Sequence, residues 1–318
     1  MTEEFMVNSH RAAAAAVALA LLPGCAATAP SYLSPGSTGL QSISRTSAPA
    51  TGRVLYIADI DGQPGVGQIH VYQATMQKPQ WIRDITSGTG RPFGMWVDDR
   101  NYLYVANITN KYPAAVTIFK PGASTPFYTI SKLKGQPEAV AVDAAHNVYV
   151  NENVADAGIV EVFPPNSNTP VREINTGISG YAFNPGGLAF DPKGNLIAGE
   201  QALLQLHVVK VAPGSTKATA LNLDLTNVNG PGLGMDKAGN LYIGSSENAQ
   251  IAVYPPGQLR PSRFISQASA YGFLTVTPEG AVYAASGQSS VAEIPPGGNT
   301  PANTVQCICS AQGTAVSH

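Results

Sequence analysis

Six times along its 318 residues the chain places a polar side chain three positions after the second residue of a recurring strand-like core: Asp59, Asn107, Glu152, Glu200, Ser245 and Ser286. Four successive oxygen donors, three of them carboxylates, are what a hard cation such as Ca²⁺ takes. If the repeats wind around one axis, the pattern predicts one divalent cation held by Asp59, Asn107, Glu152 and Glu200. A second group, Arg91, Phe93, Glu138, Tyr181, Phe183, Asn184, Asn229 and Tyr271, falls in the segments joining one repeat to the next. Aromatic rings with a few amides suit a mouth for a small ligand or a partner protein. The longest such segment, 175–185, carries Tyr181 and Phe183. No residue is assigned as catalytic. The chain has no G-x-S-x-G, H-E-x-x-H, P-loop or G-x-G-x-x-G pattern, and His70, His146 and His207 fall where they do not converge.

The elements that must position these groups are repeats. Tyr56, Tyr104, Tyr149, Ile197, Tyr242 and Tyr283 each sit second in the short apolar core, at intervals of 48, 45, 48, 45 and 41. A lead-in precedes most of them, spelled P-x-x-x-x-V-D at Pro92–Asp98 and Pro137–Asp143, and a turn such as Lys193-Gly194-Asn195 separates lead-in from core. Glycine there supplies the positive φ of a tight hairpin. A third apolar segment follows each core, and most of these run into a Pro-Gly or Pro-Pro turn. The fourth segment opens on Pro79, Pro126, Pro170, Pro261 or Pro301, where a residue without an N–H belongs at the start of an edge strand. Six four-stranded units of about 45 residues predict an all-β chain, a six-bladed β-propeller. The first unit lacks a lead-in and the last residues, 313–317, supply one, so the C-terminal strand is expected to complete the first blade. The lead-in aspartates Asp98, Asp143, Asp191 and Asp236 recur too often to be catalytic and are expected to cap the turns that follow them.

The lead-in with its core, at Pro92–Asn107, Pro137–Glu152, Pro185–Glu200 and Pro231–Ser245, resembles the NHL repeat and the wider group of NHL, TolB-like and senescence-marker (gluconolactonase-like) six-bladed propellers. The resemblance covers nearly all of residues 52–318 and implies the fold. It does not imply one function, because such propellers include hydrolases, lyases, scaffolds and binding proteins. The gluconolactonase-like members hold a catalytic divalent ion with Glu, Asn and Asp ligands. Those residue types are present here, but the order of blades does not match and the opening E-G-P ligand motif is absent.

Before the repeats lies an address. Ala12–Leu22 is an apolar run of signal-peptide length, too short to span a bilayer. Leu22-Pro23-Gly24-Cys25 resembles a bacterial lipobox, which implies cleavage after residue 24 and a lipid on Cys25. Residues 25–51, rich in Ala, Ser, Thr, Gly and Pro with the single charge Arg45, are expected to be a flexible tether. Together these predict an exported lipoprotein held to a membrane of the cell envelope. Charged residues make up 12% of the chain and net charge is −2, which leaves no basic face for nucleic acid. Cys307 and Cys309, two apart in a presumed strand, are expected to stay inert thiols.

Two functions follow from these observations. The first is a binding or protein-interaction module, monomeric because a closed ring has no long free edge, contacting an envelope protein or a small ligand at the channel mouth. The alternative is a Ca-type metal-dependent lactonase or esterase with its site in the central channel.

Overall fold

A computed structural model of the chain describes residues 52–318, apart from 62–66, 75–78, 109–113, 181–183, 204, 246–247, 267–271 and 308–309. The leader, the tether, Cys25, Tyr181, Phe183 and Tyr271 lie outside the described residues, as does the side chain of Asn184. All regular structure is β, arranged as six antiparallel sheets of four strands each. Blade 1 runs outward from the axis as Ala311–Val316, Val54–Asp59, Gln68–Gln73 and Gln80–Ile85, so the C-terminal strand does close the ring. Blade 2 is Arg91–Val97, Leu103–Ile108, Ala115–Phe119 and Tyr128–Ile130; blade 3 is Gln136–Val142, Val148–Val154, Ala157–Phe163 and Arg172–Ser179. Blade 4 is Asn184–Phe190, Leu196–Ala202, Gln205–Val211 and Ala218–Ala220; blade 5 is Leu233–Met235, Leu241–Ser245, Gln250–Tyr254 and Arg263–Ser266. Blade 6 is Leu274–Val276, Val282–Ala285, Ser290–Ile294 and Asn303–Gln306.

The core follows from strand alternation. Second and third strands are buried on both sides because each blade is covered by the next; Leu103–Asn107 and Ala115–Phe119 show no exposed position. Fourth strands alternate instead, as in Arg172–Ser179, where Ile174 and Thr176 point inward between exposed neighbours. The aspartates cap their turns as the sequence predicts. Asp98 Oδ1 accepts the N–H of Arg100 and of Tyr102, Asp143 those of Ala145 and Asn147, and Asp191 those of Lys193 and Asn195. In blades 2 and 3 the left-handed turn position is taken by Asn101 and His146 rather than glycine, with φ of 61° and 63°.

These connections define two faces. First-to-second hairpins and third-to-fourth turns share the turn face, where Arg53 enters and the closing strand ends at Val316. Second-to-third loops and the blade-to-blade segments share the loop face.

One sequence expectation is overturned here. Cys307 is disulfide-bonded, with its partner outside the described residues. The strand assumed for this segment ends at Gln306, before Cys307. The extended same-face geometry that argued against a bond therefore does not hold.

Candidate functional site

The strand-end positions are in phase as the sequence implies. Asp59, Asn107, Glu152, Glu200 and Ser245 are all buried at the loop-face ends of second strands. Their chemistry is blade closure. Asp59 Oδ1 accepts the Ser310 N–H at 2.9 Å, Asn107 Oδ1 the Gly90 N–H at 3.0 Å, and Glu152 Oε2 the Gly135 N–H at 2.7 Å. Each donor lies just before the first strand of the same blade, in a bend where it has no ladder partner and would otherwise be a buried orphan. In blade 5 the Ser245 hydroxyl donates to Asn229 Oδ1 at 3.3 Å.

The predicted cation set is thus distributed over four blades rather than gathered. Asp59, Glu152 and Glu200 do not share a coordination sphere; among the described residues, the grouping of three acidic or His ligand atoms within 4.8 Å is Asp98, Asp99 and His146 on the turn face. There Asp98 Oδ2 already accepts from Arg100 and from Tyr104. The reason is radial: these residues sit on second strands, one strand out from the axis, so equal height does not bring them together. A single divalent ion does not fit the four as placed.

Two clusters that the sequence did not reveal surround those positions. In blade 1, His70 lies between Asp84 (Nδ1 to Oδ1, 2.7 Å) and Asp59 (Nε2 to Oδ2, 3.3 Å), and Trp81 Nε1 donates to Asp84 at 2.9 Å. Burial alone would lower the His70 pKa, but the two carboxylates raise it to about 9. Burial likewise opposes the ionised Asp59, yet His70 and the N–H groups of Ser310 and Asp61 hold it at about 2. His70 is therefore a cation binding three strands, not a free base. Its stabilisation is full below pH 6.5 and lost as pH rises through about 9. Replacing His70 by Gln is expected to cost about 1–3 kcal/mol at pH 7 by leaving Asp59 under-compensated. Urea denaturation at pH 7 and pH 10 checks this, and an equal cost at both pH values would contradict it.

Blades 3 and 4 hold the opposite case, buried acids whose pKa values are raised. Burial pushes Glu138 up to about 8. Burial also raises Glu152 to about 8, opposed by the Gly135 N–H and reinforced by neighbouring Glu161. Glu200 is 0% exposed and neither oxygen has a hydrogen bond of normal geometry. Burial places it well above the usual carboxylate range, partly offset by the Asn151 amide and increased by Glu138. Burial thus holds all three above the ordinary carboxylate range.

A cavity of about 480 Å³ runs along the axis. First strands of all six blades line it, with Met95, Leu188, Leu233, Phe273, Leu274 and Val276 among the apolar side chains. The lining extends to Asp143, Asp191, Lys237, Pro278 and His318, which belong to the turn face. Toward the loop face it stops, because there the first strands meet backbone to backbone. A Cβ at Gly313 would lie 2.0 Å from the Phe93 carbonyl oxygen, one at Gly272 2.1 Å from that of Gln312, and one at Gly94 2.4 Å from that of Glu138. Phe93 and Phe273 then pack edge to face, centroids 5.2 Å apart, over this collar. The described members of the expected mouth do not line this cavity. Phe93 helps close the channel, Glu138 is buried beside the collar, Arg91 and Asn229 are half-buried in blade entries, and none of the four lines the cavity. Its small first-strand residues were legible in the sequence, but only the three-dimensional taper shows which end they close.

No family model matches the chain, and no curated protein matches it by sequence. Its likeness is to solved structures. A nidogen/laminin complex structure superposes with a TM-score of 0.68 at 18% identity, covering 84% of this chain and 99% of that one. A putative 6-phosphogluconolactonase from Bacteroides uniformis gives a TM-score of 0.55 at 14% identity over 80% of this chain and 81% of that one. A luciferin-regenerating enzyme gives 0.53 at 14% identity over 70% and 78%. At such identities the likeness is one of fold, and the neighbours include both enzymes and a protein complex.

Proposed function

We propose that the protein is an exported, lipid-anchored, NHL-like propeller that acts as a binding module, taking a small apolar ligand into the axial channel from the turn face. The observation that carries this reading is the channel itself: about 480 Å³, apolar-walled, and closed at the loop face, within the 300–1,000 Å³ usual for ligand sites. Export and anchoring rest on the apolar run Ala12–Leu22 and on Leu22–Cys25. The hydrolase alternative lacks support from the site, since three of its candidate ligands, Asp59, Asn107 and Glu152, are engaged separately in closing three blades.

The test is titration of the full chain with 1-anilinonaphthalene-8-sulfonate, followed by fluorescence. Saturable binding of one dye per chain is expected. Val276→Trp, at a half-buried position on the channel wall, is expected to weaken it at least tenfold without lowering the melting temperature appreciably. Dye uptake that does not saturate, or that Val276→Trp leaves unchanged, would refute the proposal.

A further inference from the structure

We infer that the turn face carries a site for one divalent cation of the zinc type, held by Asp98, Asp99 and His146 where the first hairpins of blades 2 and 3 meet. None of the three lines the axial cavity, so this site is independent of the channel. The first argument is geometry. One ligand atom from each residue lies within 4.8 Å of the other two. His146 Nδ1 stands 3.6 Å from Asp99 Oδ1 and 3.8 Å from Asp98 Oδ2. Both separations are too long for hydrogen bonds. They lie close to the spacing of two ligands on one tetrahedral zinc, about 3.4 Å for Zn–N and Zn–O bonds of about 2.0–2.2 Å. Asp99 is an exposed hairpin side chain, free to close the small difference.

The second argument is the imidazole. Its Nδ1 is shut off from solvent and has no hydrogen bond among the described residues, a rare state for a buried polar atom that a metal bond would end. The hairpin itself does not need this ring, because Asp143 Oδ1 closes it through the N–H groups of Ala145 and Asn147. His146 occupies the left-handed position that blades 4, 5 and 6 give to Gly194, Gly239 and Gly280. Blade 2 likewise departs from the repeat by following its lead-in aspartate with a second acid, where the others read Asp143-Ala144, Asp191-Pro192 and Asp236-Lys237. The two departures fall on neighbouring hairpins and bring their side chains together. The third argument is the donor set. One imidazole with two carboxylates suits zinc, whereas Ca²⁺ and Mg²⁺ take oxygen ligands. Asp98 Oδ2 accepts from Arg100 Nε and Nη2 at 3.0 and 2.8 Å. The Arg100 side chain is 44% exposed, so a cation can displace it by rotation while Asp98 Oδ1 keeps its two backbone N–H groups. Arg100 and His146 also border a hollow of about 110 Å³ with Tyr102, Tyr104 and Phe127, which has room for water as the fourth ligand.

The probe is Zn²⁺ itself, titrated into the full chain by calorimetry. One saturable site that depends on these residues is expected. His146→Gly suits a turn position at φ 63°, and Asp99→Ala alters an exposed side chain, so neither is expected to lower the melting temperature of the metal-free chain. Each is expected to weaken the site at least about tenfold, the lower end of the loss usual for disturbed metal ligation. Arg100→Gln, which removes the competitor for Asp98 Oδ2, is expected to bind Zn²⁺ at least as tightly as the wild type. His207→Gln, on the third strand of blade 4, is expected to leave the site unchanged. Three results would overturn the assignment: no saturable Zn²⁺ binding, a site that His146→Gly and Asp99→Ala leave intact, or weaker binding by Arg100→Gln. His146 would then rest between two aspartates without a metal to hold.

Discussion

Replacing Gly313 by Ala is expected to destabilise the domain by more than about 3 kcal/mol, beyond the range of about 1–3 kcal/mol usual for overpacking a core. The added methyl would lie 2.0 Å from the carbonyl oxygen of Phe93 and 3.7 Å from the Ala58 methyl. The first clash is with backbone, so no side-chain rotation relieves it. Relief requires the closing strand Ala311–Val316 to withdraw from blade 2. That movement would strain the Phe273 N–H to Gln312 carbonyl bond of 2.7 Å, which joins blade 6 to the closing strand. A fitting control is Gly122→Ala, at φ 75° with nothing within 4 Å, where only the left-handed backbone penalty of about 1–2 kcal/mol applies. Urea denaturation of both variants makes the comparison. If the two cost the same, the collar is not the tight backbone contact described here.

That contrast also shows which parts of the molecule were legible beforehand. The fold was, because a propeller repeats one local pattern and each repeat states its own turns. Lys193-Gly194-Asn195 specifies a hairpin whatever surrounds it, and Asp191 closes that hairpin through bonds to its own backbone, with residues two and four along. Ring closure was legible for the same reason, since the lead-in missing at Arg53 reappears at 313–317 in phase.

The site was less legible because it depends on radius and taper, which no single repeat encodes. Asp59, Asn107, Glu152 and Glu200 were rightly read as equivalent, but equivalence around a ring means equal height and equal radius, not contact. On second strands that radius is large, and Asp59, Asn107 and Glu152 each serve a nearby unpaired N–H instead. Phe93 was read as a mouth residue because it lies between blades; the structure shows that it caps the narrow end against Phe273. The partnership of His70 with Asp84, 14 residues apart, follows from the pairing of third and fourth strands at His70 and Asp84. That register was available in principle from the strand assignments, as facing residues of one hairpin.

Stability is expected to fall as pH rises from 5 to 8, and Glu200→Gln to reverse much of that fall. Glu138 and Glu152 have folded-state pKa values raised to about 8 from an ordinary 4.5, chiefly by burial, and Glu200 is raised well above it for the same reason. A raised pKa means that the folded state holds the proton more tightly than the unfolded chain. Its contribution is therefore full below pH 4.5 and lost as pH climbs through the folded value. Asp59 works in the opposite sense but is complete above its ordinary 3.8, and His70 changes mainly between 6.5 and about 9. Between pH 5 and 8 the buried glutamates therefore set the slope. At about 1.4 kcal/mol per pH unit and group, even partial expression amounts to several kcal/mol across the three. Glu200→Gln keeps the shape, removes the titration, and is expected to stabilise the domain by about 1–3 kcal/mol at pH 8 while changing little at pH 5. Urea midpoints at four pH values for both chains decide the matter. A wild-type profile that rises toward pH 8, or a Glu200→Gln chain weaker there than wild type, would mean that Glu200 is ionised and paired with a cation. The acids between blades 3 and 4 would then have to be read as a binding site rather than as neutral packing.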